Sequence, residues 1–557
     1  MKFIEIIHHC QSWNPGIRID SIRPLTFTGV MSDALRRLAA TIRHHGCLLL
    51  PLLFYGITMS REIGLPDSAI IIDAMQQPVF SAHACNHNLN NLIGWLVIHL
   101  LPGCSITTAA NFTSVLYGAL AIPLGYALGV ALKLSRQAAL ATAAVFMVSQ
   151  SAWWHATRVE NYLLNAIFLY AILLLAGRDA GRTAGTASSL RRHAGMAFLA
   201  GLALFNHLQN AVLLPSVAAF ILVRLPANRR LRHLGWCTVA AGAGLLPYAA
   251  VLAHDLHVQG RNAIALAMGS PFHAWFGISH FLPGLRSLME LILLQFPGPF
   301  LLLIPAGILI AARKWRHPLA ALILPLTVIP VIVFSGYRAW DLFSFYLPLF
   351  ALLTLAGGLA WDRCWNHAGT GGRVACLTLT AISIFTPVWI YPNISQWAKD
   401  QPDGYWGRRY HAIQADYATR YDLVSALVSP LPPPVPRRIE TFAKQVLTRL
   451  PPDSRWIDDV STHHQLLLVR ERDRIGTTLA LNLIQPDGFP GWGTPYDALV
   501  NDVITSPADR RIFLPTDRGA CGRLSDVLAG AGWRLEPFHL SRHHVVFELV
   551  RPGPTSD

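Results

Sequence analysis

Apolar runs of about 15–25 residues recur between residues 46 and 391, separated by short polar or basic loops. A membrane helix needs about 20 apolar residues to cross the hydrocarbon core. The pattern therefore predicts an α-helical polytopic membrane protein. The runs fall at 46–60, 108–132, 138–153, 162–177, 194–206, 210–224, 234–254, 286–312, 318–335, 344–361 and 374–391, about eleven transmembrane helices by the length criterion. A further apolar stretch, 89–101, is too short to cross and is expected to lie on the membrane or re-enter it.

The loops alternate in character. One set holds Lys133 and Arg136; Arg178, Arg182, Arg191 and Arg192; Arg224, Arg229, Arg230 and Arg232; Arg313, Lys314 and Arg316; Arg363 and Arg373. By the positive-inside bias this set faces the cytoplasm. The other set holds the polar clusters at 61–102, 155–162, 206–210 and 337–341 and faces outward. If 89–101 crossed fully, Arg191, Arg192, Arg229 and Arg230 would fall outside, against the bias. Residues 1–45 are expected as a basic cytoplasmic arm, with 31–43 as an interfacial helix. Residues 46–392 form the transmembrane domain, with a first outer loop at 61–107. Residues 393–438 form a linker, stiffened by the prolines of SPLPPPVPRR at 429–438. Residues 439–557 are expected as a small extracytoplasmic α/β domain, with a helix at 439–450 and strands at 533–538 and 543–550.

Composition agrees. Of 557 residues, 53% are hydrophobic and only 14% charged, against about 25% charged in a typical soluble chain. The formal charge of +14 does not indicate nucleic acid as a partner, because the arginines lie in short loops between spans. The eight cysteines form no CxxC pair and no His/Cys metal spacing. Residues 1–43 are polar and basic, so no cleavable signal peptide is expected.

Candidate chemistry concentrates in the outward clusters. Asp67 follows the first span and is flanked by Ile63, Leu65 and Ile70 to Ile72. Partial desolvation there raises a carboxylate towards the range of a general base; a solvated loop carboxylate is the plainer alternative. Asp73 is six residues on and need not share its face. His83 and His87 would align on one helix face, a spacing that suits phosphate, sugar or headgroup contact better than a metal, since no further ligand is patterned around them. Arg158 and Glu160 follow Trp153 and Trp154, which read as ordinary interfacial belt residues. The charged pair suits phosphate or sugar binding, with a structural salt bridge as the alternative. His207 sits at the tip of a short hairpin among Asn206 and Asn210. Arg338 and Asp341 lie in GYRAWD, where Arg338 would neutralise a lipid phosphate and Asp341 orient it, or the two would pair locally. The sequons at Asn111 and Asn393 are weak matches. No P-loop, GxGxxG, HExxH or GxSxG context occurs.

These motifs, in order, carry a resemblance. Asp67, Ser68, His83, Gly94 and Leu100-Leu101-Pro102, then Glu160, Tyr162 and Asn165, then Asn206 and His207, then Tyr337, Asp341, Tyr346 and Pro348 resemble the GT-C superfamily of membrane glycosyltransferases. In particular they resemble the bacterial protein O-mannosyltransferase-like family, defined by a conserved membrane domain of unknown function. The chain departs from that family's proline- and aromatic-rich run at His83 to Asn88 and lacks the acid expected shortly after Ser68. The resemblance implies inverting transfer of a sugar from a polyprenyl-phosphate donor to an extracytoplasmic acceptor, a protein hydroxyl or an envelope glycan or lipid. It also implies Asp67 as the base. Substrate-binding candidates are Asp73, His83, His87, Arg158, Glu160, His207, Arg338 and Asp341. No cofactor is assigned, and a divalent metal stays open. Membrane lipids are the expected surroundings, and the expected location is a bacterial inner membrane with the N-terminus cytoplasmic and the C-terminal domain periplasmic. A transporter or flippase would place ionisable residues midway along the spans. A non-catalytic assembly protein of envelope-glycan synthesis is the remaining rival.

Overall fold

A computed structural model of the chain describes residues 49–551, except 65, 79, 85, 181–185, 269–275, 314–316, 338–340, 401–421, 432–437, 459, 486–492, 508 and 518. The protein is mostly helical, as expected of a multi-pass membrane protein. Among the described residues, five helices are long and apolar enough to cross a membrane: Ile106–Ala131, Tyr162–Ala180, Ala227–Gln259, Pro318–Ser335 and the apolar part of Thr370–Asp400. Other apolar runs of the sequence are cut into shorter pieces, each for a local reason. The run at 138–153 breaks at Ser149, whose hydroxyl folds back onto the Phe146 carbonyl at 2.8 Å. Helix Arg136–Val148 therefore ends there, and helix Gln150–Thr157 follows. The run at 286–312 breaks at Pro297-Gly298-Pro299, where two backbone N–H groups are missing. It becomes helix Phe281–Gln295, a 3₁₀ turn at Pro299–Leu302 and helix Leu303–Ala312.

Starts and crossings follow from single residues. Ser105 caps helix Ile106–Ala131 by accepting from the Thr108 N–H at 3.2 Å, and Ser135 caps Arg136–Val148 through Ala138. Helices Ala187–Leu204 and Ala227–Gln259 cross in backbone contact. A Cβ on Gly201 would overlap the Ala241 carbonyl oxygen, and one on Gly244 would overlap that of Phe198. One set of helix ends is tied by a buried acid. Asp179 accepts from Arg192 Nε and Nη2 at 3.1 and 2.9 Å, from Arg224 Nε at 3.3 Å, and lies 3.1 Å from His193 Nε2. Two arginines that count towards the inner bias are therefore also paired to a buried carboxylate.

The C-terminal part carries more structure than the alternation of its sequence predicts. Helix Ile439–Arg449 and two strands appear where expected, the strands as β4 (Arg534–His539) and β5 (Val545–Val550). Three strands were not foreseen: β1 (Arg455–Asp458), β2 (Ala480–Leu483) and β3 (Ile512–Leu514). They are three or four residues long, too short for an alternating pattern to register. The sheet order is β2-β1-β3-β5-β4, parallel across β2-β1-β3 and antiparallel thereafter. The described residues from Pro51 onward form one compact unit, and the α/β part shares a hydrophobic core with Ile63, Ala69, Ile71, Ile72 and Met75.

Replacing Gly244 with Ala is expected to lower stability by about 1–3 kcal/mol, since two backbones and not a flexible side chain must separate. A lower thermal-unfolding midpoint in detergent tests this; an unchanged midpoint would contradict it.

Candidate active site

Two acid-bearing loops meet at one asparagine. Asn111, on helix Ile106–Ala131, is 1% exposed. Its Nδ2 donates to the carbonyls of Ser60 and Glu62 at 2.9 and 3.1 Å, and its Oδ1 accepts from the Val159 N–H at 2.7 Å. One turn on, Ser114 accepts from the Glu160 N–H at 3.1 Å. The Ser60 N–H donates to the Thr157 carbonyl at 2.8 Å. The loop that leads to Asp67 and the turn that holds Arg158 and Glu160 are thus fixed against each other. This use of Asn111 displaces its reading as a sequon. Sequence reasoning missed it as a site residue, although an amide within an apolar run is itself a sign of a bonded, inward-facing group.

Asp67 lies in the first turn of helix Pro66–Gln76. It reaches the surface, yet protein surrounds it closely, and the loss of bulk water pushes its carboxyl up to about 6. The combination describes a carboxylate that is accessible yet poorly hydrated. Glu160 is buried, which holds its carboxyl well above the usual range; the nearby charges of Asp67 and Asp341 push in the same direction, and Arg158 opposes them. Asp67, Glu160 and Asp341 all lie within electrostatic reach of the Tyr162 hydroxyl. Arg158 is 3% exposed. Its Nη2 donates to the Ser429 and Leu431 carbonyls at 3.1 Å each, and its Nη1 has no hydrogen-bond partner among the described residues. Its guanidinium carbon stands 4.9 Å over the Trp154 ring. Burial lowers its pKa to about 9, with Glu160 acting the other way. Arg158 and Glu160 form no direct salt bridge among those resolved in the described residues; Arg158 instead spends one amino group on the chain at 429–431.

A histidine–aromatic wall stands beside the acids. His87 and His207 stack at 5.0 Å and 11°, and Tyr162 lies 5.3 Å from His207 and 5.0 Å from His155. His87 Nδ1 is 3.2 Å from the Asn206 carbonyl, an acceptor only, so that nitrogen carries the proton. Burial lowers the His87 pKa to about 4, with the Asn206 carbonyl working against it. His207 Nδ1 accepts from the Gln209 N–H at 3.1 Å, which leaves its proton on Nε2. Burial, reinforced by His87, holds His207 well below the usual range. Behind the wall, Asn206 and Asn210 both donate to Asn165 Oδ1 at 2.7 Å.

Several expectations change. His83 and His87 do not share a helix face. They precede helix Asn88–Leu100, with His87 at its N-cap. The stretch is bent because Asp255 accepts from Ser81 Oγ and the Ala82 N–H at 2.9 and 2.7 Å. His83 consequently lies near Asp255, whose charge partly offsets the burial that lowers its pKa. Asp73 shares the helix of Asp67 but turns elsewhere, within electrostatic reach of His464 in the C-terminal part. Trp153 and Trp154 are not belt residues. Both are buried, and their indoles donate to Thr58 Oγ1 at 3.0 Å and the Ala426 carbonyl at 2.8 Å. Arg338 lies outside the described residues. Among those described, no group of three or more His, Cys, Asp or Glu side chains is placed to hold a metal ion.

Comparison with known proteins gives first the class and then particular relatives. The chain has the class of fold of a multi-pass helical membrane protein. It superposes on the crystal structure of ArnT from Cupriavidus metallidurans bound to undecaprenyl phosphate with a TM-score of 0.61 at 15% identity, over 92% of this chain and 98% of that one. At that identity the likeness is one of fold. Sequence similarity supplies the more particular relative. The family model of the Protein O-mannosyl-transferase TMEM260 N-terminal domain matches residues 75–230. Mouse Protein O-mannosyl-transferase TMEM260 is 30% identical over 196 residues, 35% of this chain. The match spans 28% of the mouse protein's length. The family match takes in His83, His87, Arg158, Glu160 and His207 and stops short of Asp67 and Asp341. The resemblance to GT-C membrane glycosyltransferases read from the motifs is borne out.

Asn111→Ala would take away the partner of the Val159 N–H and of the Ser60 carbonyl, and leave the Glu62 carbonyl with Ser60 Oγ, at about 1–3 kcal/mol per stranded buried group. The expected result is a lower unfolding midpoint together with faster amide exchange in both 60–63 and 158–160. A change confined to one of the two loops would refute the shared-pin account.

Proposed function

We propose that this protein is an inverting GT-C glycosyltransferase that moves a sugar from a polyprenyl-phosphate donor to a hydroxyl acceptor, with Asp67 as the base. The observation that carries the reading is the state of Asp67: accessible, poorly hydrated, and coupled to Glu160 beside Arg158, within a fold like that of ArnT. The acceptor hydroxyl gives its proton to the Asp67 carboxylate as its oxygen bonds to the anomeric carbon. The bond from that carbon to the phosphate oxygen breaks on the opposite face, and the electron pair leaves on the phosphate. Arg158 Nη1 and His207 Nε2–H are donors available to the departing phosphate, and Arg338 is assigned to it by charge. Glu160, kept protonated by burial, offers an O–H to a sugar hydroxyl. Positioning and neutralisation of the phosphate supply most of the rate.

The arrangement agrees with an outward site. Tyr162 and Asn165 stand at one end of helix Tyr162–Ala180, and the Asp179–Arg192–Arg224 cluster lies at the other. With the basic end cytoplasmic, the site and the 439–557 part face outward, in a bacterial inner membrane. We take the transmembrane domain as 46–392 with about eleven spans, counting the broken runs as crossings. Helix Asn88–Leu100 lies at the interface: Leu92, Leu96 and Leu100 are exposed while Asn88, Asn91 and Gly94 are buried. The donor sugar class follows the mannosyl-transferase relative, with a protein hydroxyl as the first acceptor to try.

Asp67→Asn is expected to lower transfer from polyprenyl-phosphate mannose by about 10²–10⁴-fold, the usual contribution of a general base, with the unfolding midpoint and polyprenyl-phosphate binding retained. Full activity would overturn the mechanism, and so would a protein that exports the lipid-linked sugar without transferring it. In the wild type, kcat/KM should fall with acid below about pH 6, tenfold per unit, and level off above it, because only the ionised carboxylate is a base. A flat profile between pH 5 and 7, which are round test values about the pKa, would argue against Asp67.

A further inference from the structure

The loop before Asp67 is gripped from two sides. Asn111 holds the membrane side. The other side is covered by the C-terminal α/β part. Ile63, Ile72 and Met75 share a buried core with Phe442, Val446, Leu466 and Val469. At the edge of that core Glu440, on helix Ile439–Arg449, is 7% exposed and turns its carboxylate back towards the loop. Its Oε1 accepts from the Ile63 N–H at 2.8 Å and from Arg472 Nη1 at 2.7 Å; its Oε2 accepts from Arg472 Nη2 at 3.1 Å. Arg472 is braced by Asp473 at 2.8 Å, and Asp473 by Lys444 at 2.9 Å. Next to it, Arg438 pairs with Glu62.

An ion pair alone would join two surfaces without selecting a register. The bond to the Ile63 N–H is different in kind, because it fixes a backbone atom four residues before Asp67. It sets where the loop turns into helix Pro66–Gln76, and hence where the Asp67 carboxylate stands in the first turn. Arg472 in turn holds the Glu440 carboxylate bidentately, in one orientation. We propose that Glu440 is a positioning residue for Asp67, oriented by Arg472, and that the C-terminal α/β part is a component of the active site. This rests on the reading of Asp67 as the base.

The test uses the full-length protein in lipid nanodiscs and three variants. Glu440→Gln keeps an oxygen for the Ile63 N–H. Glu440→Ala removes it. The exchange Glu440→Arg with Arg472→Glu keeps an ion pair and removes the acceptor. Amide hydrogen exchange of residues 60–68 is read without substrate, alongside kcat and KM with polyprenyl-phosphate mannose. Glu440→Ala and the charge exchange should each speed exchange in 60–68 by about tenfold, the loss of one charge-assisted hydrogen bond. Each should lower kcat by about 10²-fold at unchanged KM, as a displacement of a catalytic group would. Glu440→Gln should stay near wild type in both. Rescue of exchange and kcat by the charge exchange would reduce Glu440 to a docking contact and overturn the proposal, as would unchanged loop exchange in Glu440→Ala. Because loop exchange needs no substrate, a wild type that shows the expected exchange pattern but transfers no sugar would count against the functional reading and leave the positioning intact.

Discussion

The candidate site depends on one constraint: a buried amide that finds no hydrogen-bond partner is costly. Asn111 is almost sealed from solvent, so its Nδ2 and Oδ1 have to find partners within the protein. They find them on two different loops, and this joins the loop entering Asp67 to the turn carrying Arg158 and Glu160. Helix Ile106–Ala131 is thereby both a membrane helix and the frame of the site. Ser114, one turn further, repeats the device at Glu160. From this frame the electrostatics follow. Once the loops are fixed, Asp67, Glu160 and Asp341 share one poorly hydrated region, and three carboxylates there cannot all ionise at ordinary cost. Burial pushes the Glu160 carboxyl well above the usual carboxylate range. Asp67, at the open wall, is shifted only to about 6 and stays ionised at neutral pH.

The neutral histidines belong to the same balance. His87 and His207 are stacked and dehydrated, and each has one ring nitrogen committed to the backbone. They meet a ligand as hydrogen-bonding groups of fixed tautomer, without added positive charge. Arg158 then supplies a cation within the described acid region, with one amino group on the 429–431 carbonyls and the other without a partner among the described residues. That backbone tether, together with the Glu440–Ile63 bond, ties the chain beyond 428 to the candidate site.

Much of the helical architecture was legible in the sequence. Pro318–Ser335 coincides with its apolar run, and the runs at 108–132 and 162–177 fall within two residues or so of helices Ile106–Ala131 and Tyr162–Ala180 at most ends. Runs containing Ser149 or Pro297 and Pro299 were read as continuous because hydropathy is blind to a lost N–H or a back-bonding hydroxyl. Asp67, Arg158, Glu160, His207 and Asp341 were legible as candidates, because charge and polarity beside apolar runs are conspicuous. Asn111, Asp255 and Glu440 were not, since each acts on backbone atoms far away in the chain.

By itself the sequence determined a helical membrane protein, the polar clusters of its candidate site, and the order of motifs in which it resembles GT-C glycosyltransferases. Those are properties of local composition and spacing. The tertiary structure alone decided which clusters meet. It turned Asp73 towards His464, kept His83 and His87 off a shared helix face, and withdrew Trp153 and Trp154 into the core. It also set the state of Asp67, because hydration depends on how much protein stands around a carboxylate, and that is assembled from segments hundreds of residues apart.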